Sequence, residues 1–491
     1  AGVTTPVVAK IGNTGYTTLQ EAINKAKSGD VITLQDDLTL NDEGLRFDGP
    51  KVSTPAEWKD ITLDAAKHSL TLNDKGIYAA YCKVTIMNCP ALTVKAGTNP
   101  GNTDGETSKI SAVLFCPGTL VLNECKTVNI TNPEPTTGGS GLCIYNGGDL
   151  YIQNETHFTV SGFMNGTPVK PGEQGKGGCS GIYIDSDEDV NHDYTTITGQ
   201  IVVSNNSTLT ATECYHNGIT ANPVNITVKG SSTIKTCDNN TDESDGKGGL
   251  GCYFGKLTGA GGSSVVSTGN NGWGFGIFVR DLDVDGNSKI VASNNGSFYH
   301  YGEPWNFDNW DGTGLAIAGT AVLHSGAEVT TNDNWGIGVW VYRDADNADS
   351  YPGGTLTVES GATLSSIHNA NYGLANAYNL NIRSGAHVYL RENYDGGLDN
   401  YPLATTTVDT GADFVVSNNC GRGIKNGNSG NNHIGEPATL ILNSGVIKEN
   451  YNTKQMPSFP FLDAKGYGHN VDNGGGIYNE YGSVTLSSVA K

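Results

Sequence analysis

Five of the six tryptophans, Trp273, Trp305, Trp310, Trp335 and Trp340, fall within 68 consecutive positions of this 491-residue chain. Inside that stretch, residues 298 to 311 hold six Phe, Tyr or Trp in 14 positions, where the overall aromatic share of 8% predicts about one. Aromatic faces give apolar contact to the C–H face of a sugar ring, and nearby polar groups then fix its hydroxyls. The residues expected to bind such a substrate are therefore Trp273, Phe278, Arg280, Tyr299, His300, Tyr301, Trp305, Trp310, Trp335, Trp340 and Arg343. Five carboxylates accompany them: Asp281, Glu303, Asp308, Asp311 and Asp344. Cleaving a glycosidic bond needs two acids, one kept protonated and one ionised, about 5 Å apart for retention or about 6.5 to 9.5 Å for inversion. Asp308 and Asp311 flank Trp310, whose apolar ring would raise one of them, while Arg280 or Arg343 would hold the other ionised. These five form the candidate catalytic set. The competing reading makes the same aromatics a satellite core or an interface.

A second acidic pair, Asp395 and Asp399, is a runner-up, although Asp399 lies directly before Lys425 of the next repeat and a surface ion pair accounts for it more simply. Asp281 to Gly286 opens like a calcium loop, but its twelfth position is Ala292, and Leu282 and Val284 fall at core positions, so an ordinary strand and turn is expected. No organic cofactor is expected. Structural calcium would find acidic loops at 185–189 and 344–349, where solvated acid is the plainer reading.

The elements that position these residues emerge from a repeat. Gly followed by an apolar-x-apolar strand recurs at Gly276, Gly314, Gly338, Gly373, Gly397, Gly423 and Gly476, at intervals of 38, 24, 35, 24, 26 and 53 residues. The floor of about 24 is one unit and the excess is insertion. A second strand ends in a Gly turn, as at Leu380 to Gly385, and a third ends in Asn, as at Val388 to Asn393. Three short strands per unit describe a coil of a parallel β-helix, with Gly and Asn taking the left-handed corners. Aligned on Gly, the inward residues Asn376, Asn400, Asn426 and Asn479 form a column of buried amides, costly unless they hydrogen-bond along the stack. Near the start, Gly15 to Ala26 reads as a capped amphipathic helix, followed by a first strand at Gly29 to Leu34, and the helix would cover the open end of the solenoid.

Composition narrows the partners. The formal charge of −21 argues against nucleic acid and anionic lipid, and no apolar run is long enough to span a bilayer. The ten cysteines show no CxxC spacing, so zinc is not expected; Cys82 to Cys116 and Cys89 to Cys125 are spaced to bridge neighbouring coils, and buried thiols are the alternative. Low charge with abundant Gly suits an extracellular or cell-surface protein.

The helix and first strand, with the coils that follow, resemble right-handed parallel β-helices of the pectin-lyase-like superfamily, notably large surface proteins of gut Gram-positive bacteria. The resemblance implies an all-β, right-handed parallel β-helix with an N-terminal capping α-helix: residues 1–40 as cap and 41–491 as β-helix, with the aromatic loop 298–311 projecting. It also implies a polysaccharide-related role. The Gly-His-Gly and Arg-Ile-Lys motifs of polygalacturonases are absent. The expected partner is a glycan, with further domains of a longer surface protein. The leading expectation is a glycoside hydrolase acting on host or plant glycans, and the alternative is a non-catalytic adhesin or structural filament protein.

Overall fold

The computed structural model describes residues 6–95, 111–132, 140–163, 180–185, 199–214, 216–239, 248–270, 275–296, 312–343, 353–427, 436–450 and 475–487. The chain divides into two compact units, Ala1–Ser244 and Asp245–Lys491. In each, successive coils of three short strands stack in parallel register, the architecture of a parallel β-helix.

In the first unit, alternation sets which face is inside. Lys59–Asp64 buries Ile61 and Leu63, and the strands beside it in register, Cys82–Met87, Gly118–Asn123 and Asp149–Gln153, bury the matching aliphatics and turn the intervening residues outward. The helix Leu19–Lys25 begins where Thr18 accepts the Glu21 N–H, and it buries Leu19, Ala22 and Ile23. Its Gln20 side chain both accepts the Arg46 N–H and donates to the Arg46 carbonyl, each at 2.8 Å. A side-chain amide thus satisfies the backbone of strand Leu45–Asp48 as a neighbouring strand would.

In the second unit the expected amide column is present. Asn376, Asn400, Asn426 and Asn479 donate in turn from Nδ2 to the next Oδ1 at 2.9, 2.7 and 2.8 Å. A longer ladder stands one residue beyond the positive-φ corner residues such as Asn294 and Asn418: Asn270, Asn295, Asn334, Asn369, Asn393, Asn419 and Asn450, linked at 2.8 to 3.2 Å. In this longer ladder Asn295, Asn334, Asn369, Asn393 and Asn419 also donate to a backbone carbonyl of the preceding coil, as Asn334 does to Ala292 at 2.8 Å, and so each ties three coils together.

The repeated glycines are explained differently from the expectation. Gly373 and Gly423 do not adopt positive φ; a Cβ there would lie 2.5 or 2.6 Å from the Nδ2 of ladder residues Asn393 or Asn450. Close stacking, not backbone freedom, excludes a side chain. Left-handed corners are held instead by Asn, Glu and turn glycines such as Gly385.

Cys82, Cys89 and Cys125 are free thiols, so neither proposed pair is bridged. Burial pushes Cys82 and Cys125 up to about 12, which leaves almost no thiolate. Among the described residues, no helix is long and apolar enough to cross a membrane.

Candidate functional site

One outward row of the second unit carries the site. The strands Ile277–Val284, Leu315–Ile317, Val339–Val341, Tyr372–Asn376, Gly396–Asn400, Arg422–Asn426 and Ile477–Asn479 stack in parallel. Their register aligns Phe278, Ala316, Trp340, Ala375, Asp399, Lys425 and Tyr478, one from each coil. The flanking residues Val339 and Val341, or Leu398 and Asn400, point into the core, so the pleat turns this row out.

The row begins apolar. Phe278 and Trp340 are 6% and 4% exposed, and Ala316 and Ala375 leave room for the rings on either side. Phe275 lies 5.1 Å from Phe278 and 6.5 Å from Trp340 between ring centres, and Tyr342 meets Trp340 edge-on at 5.3 Å. These aromatics form a hydrophobic cluster on the outside of the coil wall.

Beyond Ala375 the row becomes ionic. Asp399 is 7% exposed, with Lys425 Nζ 3.9 Å from its carboxylate. Burial pushes Asp399 up to about 6, against the pull of Lys425 and Arg422. Asp395 sits at the corner before the same strand and is reached by solvent, yet protein crowds around it. That desolvation, then the charge of Asp399, pushes it up to about 7, opposed by Arg422 and Lys425. The Arg422 guanidinium lies over the Tyr478 ring at 4.2 Å. Tyr372 bends over Gly396, where a Cβ would stand 2.5 Å from its ring, and burial with the two aspartates drives its phenol well above the ordinary range. A proton-holding acid near an ionisable one, with Lys425 and Arg422 close enough to oppose both shifts, is equipment for acid–base chemistry. Among the described residues, no three His, Cys, Asp or Glu side chains gather as a metal would require.

The sequence matches no family model and no curated protein. Among solved structures the chain is similar to a PL6 family polysaccharide lyase from Pseudopedobacter saltans, at 13% identity over 96% of this chain and 91% of that one, with a TM-score of 0.33. At that identity and score the likeness bears on neither activity nor substrate.

Of the residues expected from sequence, Trp273, Tyr299, His300, Tyr301, Glu303, Trp305, Asp308, Trp310, Asp311 and Asp344 lie outside the described residues. Phe278 and Trp340 share an outward row, as their spacing requires, but they are packed against neighbours instead of presenting open faces. Trp335 is half-buried at the preceding corner. Asp281 accepts the Thr320 N–H at 2.7 Å and has the Arg280 guanidinium at 3.9 Å, so it anchors a turn. Arg343 lies 5.8 Å from the centre of the Tyr378 ring. Asp285 likewise accepts the Gly261 N–H at 3.0 Å, as expected of a strand and turn. The outward place of Asp399 before Lys425 was legible in the repeat. Its burial was not: the pair is no solvated surface bridge, because neighbouring coils wall it in.

Proposed function

We propose that this chain is a carbohydrate-active protein acting outside the cell, and that the ionic half of the outward row is its glycan-processing site. Asp395 is the general acid that protonates the departing glycosidic oxygen, and Asp399, paired with Lys425, is the ionised partner that takes a proton from the water adding to the anomeric carbon. The observation that carries the reading is one juxtaposition: two acids raised by crowding, Asp395 also by the charge of Asp399 and Asp399 by that of Glu480, with Lys425 and Arg422 opposing, at the end of an aromatic row. The Trp340 cluster serves as a rigid wall supporting the site.

The test is a screen of aryl glycosides and oligosaccharides with the full chain, run beside a glycan-binding array. Asp395→Asn is expected to lower turnover by roughly 100-fold or more while leaving ligand affinity in place. Binding without turnover in the unaltered protein selects the adhesin reading, and full activity in Asp395→Asn removes the assignment.

A further inference from the structure

The first unit carries a groove of about 550 Å³ on the outward face of the strands Cys82–Met87, Gly118–Asn123 and Asp149–Gln153. Thr119 and Val121 point outward, yet they are only 7% and 8% exposed, so they form the floor of a recess and not an open sheet face. One wall is the short 3-10 turn Pro55–Glu57 with Trp58, pinned by the indole N–H donating to the Val52 carbonyl at 3.2 Å.

Tyr151 lines the groove one coil beyond Val121. Its hydroxyl donates to Asp149 at 3.0 Å and accepts from Gln200 at 2.6 Å. The phenol is thereby spent and its ring locked, so what it offers to a ligand is a preorganised aromatic face. Asn123 and Gln153, in register on adjacent coils, bring amides to one end of the groove, where the Asn123 oxygen accepts from Gln153 at 3.4 Å and from Asn154 at 2.6 Å and so fixes their orientation. The two charged side chains of the lining are engaged: Lys83 lies 3.7 Å from Asp60, and Asp149 also accepts the Gln200 N–H at 3.0 Å.

We infer that this groove binds a neutral oligosaccharide, as a site separate from the acid–base row of the second unit. A held aromatic face, amides and hydroxyls, with the charges already compensated, are the chemistry that recognises a sugar without acidic groups. The lining steps from coil to coil at about 4.8 Å, so three consecutive coils span about two pyranose rings.

The experiment is calorimetric titration of the full chain with neutral oligosaccharides and, in parallel, with uronate-containing or sulfated ones. Neutral ligands are expected to bind. Tyr151→Ala is expected to weaken binding by roughly tenfold, and Thr119→Trp, which fills the floor, to abolish it. Tyr151→Phe, which keeps the ring, retains most of the affinity, and thermal melts of each variant show that the fold survives. Asp395→Asn leaves this binding unchanged, so the groove and the proposed catalytic row fail or stand separately. The inference is overturned if no neutral oligosaccharide binds, if anionic ones bind better, or if Thr119→Trp melts normally and binds as well as the unaltered protein.

Discussion

Crowding by protein and then the charge of Asp399 push the Asp395 carboxyl up to about 7, although solvent reaches it. Asp399, raised to about 6, is then mostly ionised at neutral pH. Because the two acids interact, their values belong to the pair. If Asp395 must be protonated and Asp399 ionised, kcat/KM should peak between about pH 6 and 7 and fall on both sides. A pH–rate profile of Asp395→Asn, measured on its residual activity, should lose the alkaline limb; an unchanged limb would assign it to another group. The same shifts affect stability. Both acids bind protons more tightly in the folded chain than in the unfolded one, so their contribution is present at low pH and is lost as pH rises through about 6 to 7.

Among the elements, the aromatic part of the row and the charged ladders can be tested independently. Trp340 is 4% exposed against Phe278, Phe275 and Tyr342, so Trp340→Ala should cost about 3 kcal/mol, read as a lowered denaturant midpoint at constant m-value. An unaffected midpoint would mean that the ring is an accessory to ligand binding and not a support. On another strand row, Lys256, Asp283, His324 and Glu359 run across successive coils, with contacts of 2.7, 3.1 and 2.9 Å. The hydrogen bond to Glu359 raises His324 despite some desolvation, and Asp283 adds to the effect. A raised histidine stabilises fully below its unfolded value of about 6.5 and loses that contribution as pH rises through its folded value. The melting-temperature gap between the unaltered protein and His324→Gln should therefore be wider at pH 6 than at pH 8.5. A gap that does not vary with pH would show the imidazole acting through packing alone.

At the scale of whole units, stability is a matter of neighbouring coils, because most described strands pair in register with the coils before and after them. Within the second unit, Tyr372–Asn376 has a paired strand on both sides and a fully buried core column, whereas Gly482–Leu486 leaves Leu486 55% exposed. Hydrogen exchange should accordingly be slowest in Tyr372–Asn376 and its neighbours and much faster in Gly482–Leu486. Uniform protection across both strands would argue against this coil-by-coil account.

Much of the architecture was written in the spacing of residues. The period of about 24, the inward alternation and the Asn376 to Asn479 column all follow from one-dimensional pattern, because a solenoid brings equivalent positions into register. A helix within Gly15 to Ala26 was legible because capping and amphipathicity are local, although it starts only at Leu19 and Thr14–Tyr16 before it is a strand. The longer ladder through Asn295 and Asn393 was nearly visible, but the residue beyond the corner had to be chosen over the corner itself. Burial on the outside of the wall was not legible. The repeat places Phe278, Trp340 and Asp399 outward, and only neighbours from other coils decide that outward does not mean open. The pairing of Asp395 with Asp399 had the same status: sequence placed two acids near a lysine, but raising a carboxyl toward neutrality requires the surrounding protein density, and that is a property of the folded coil.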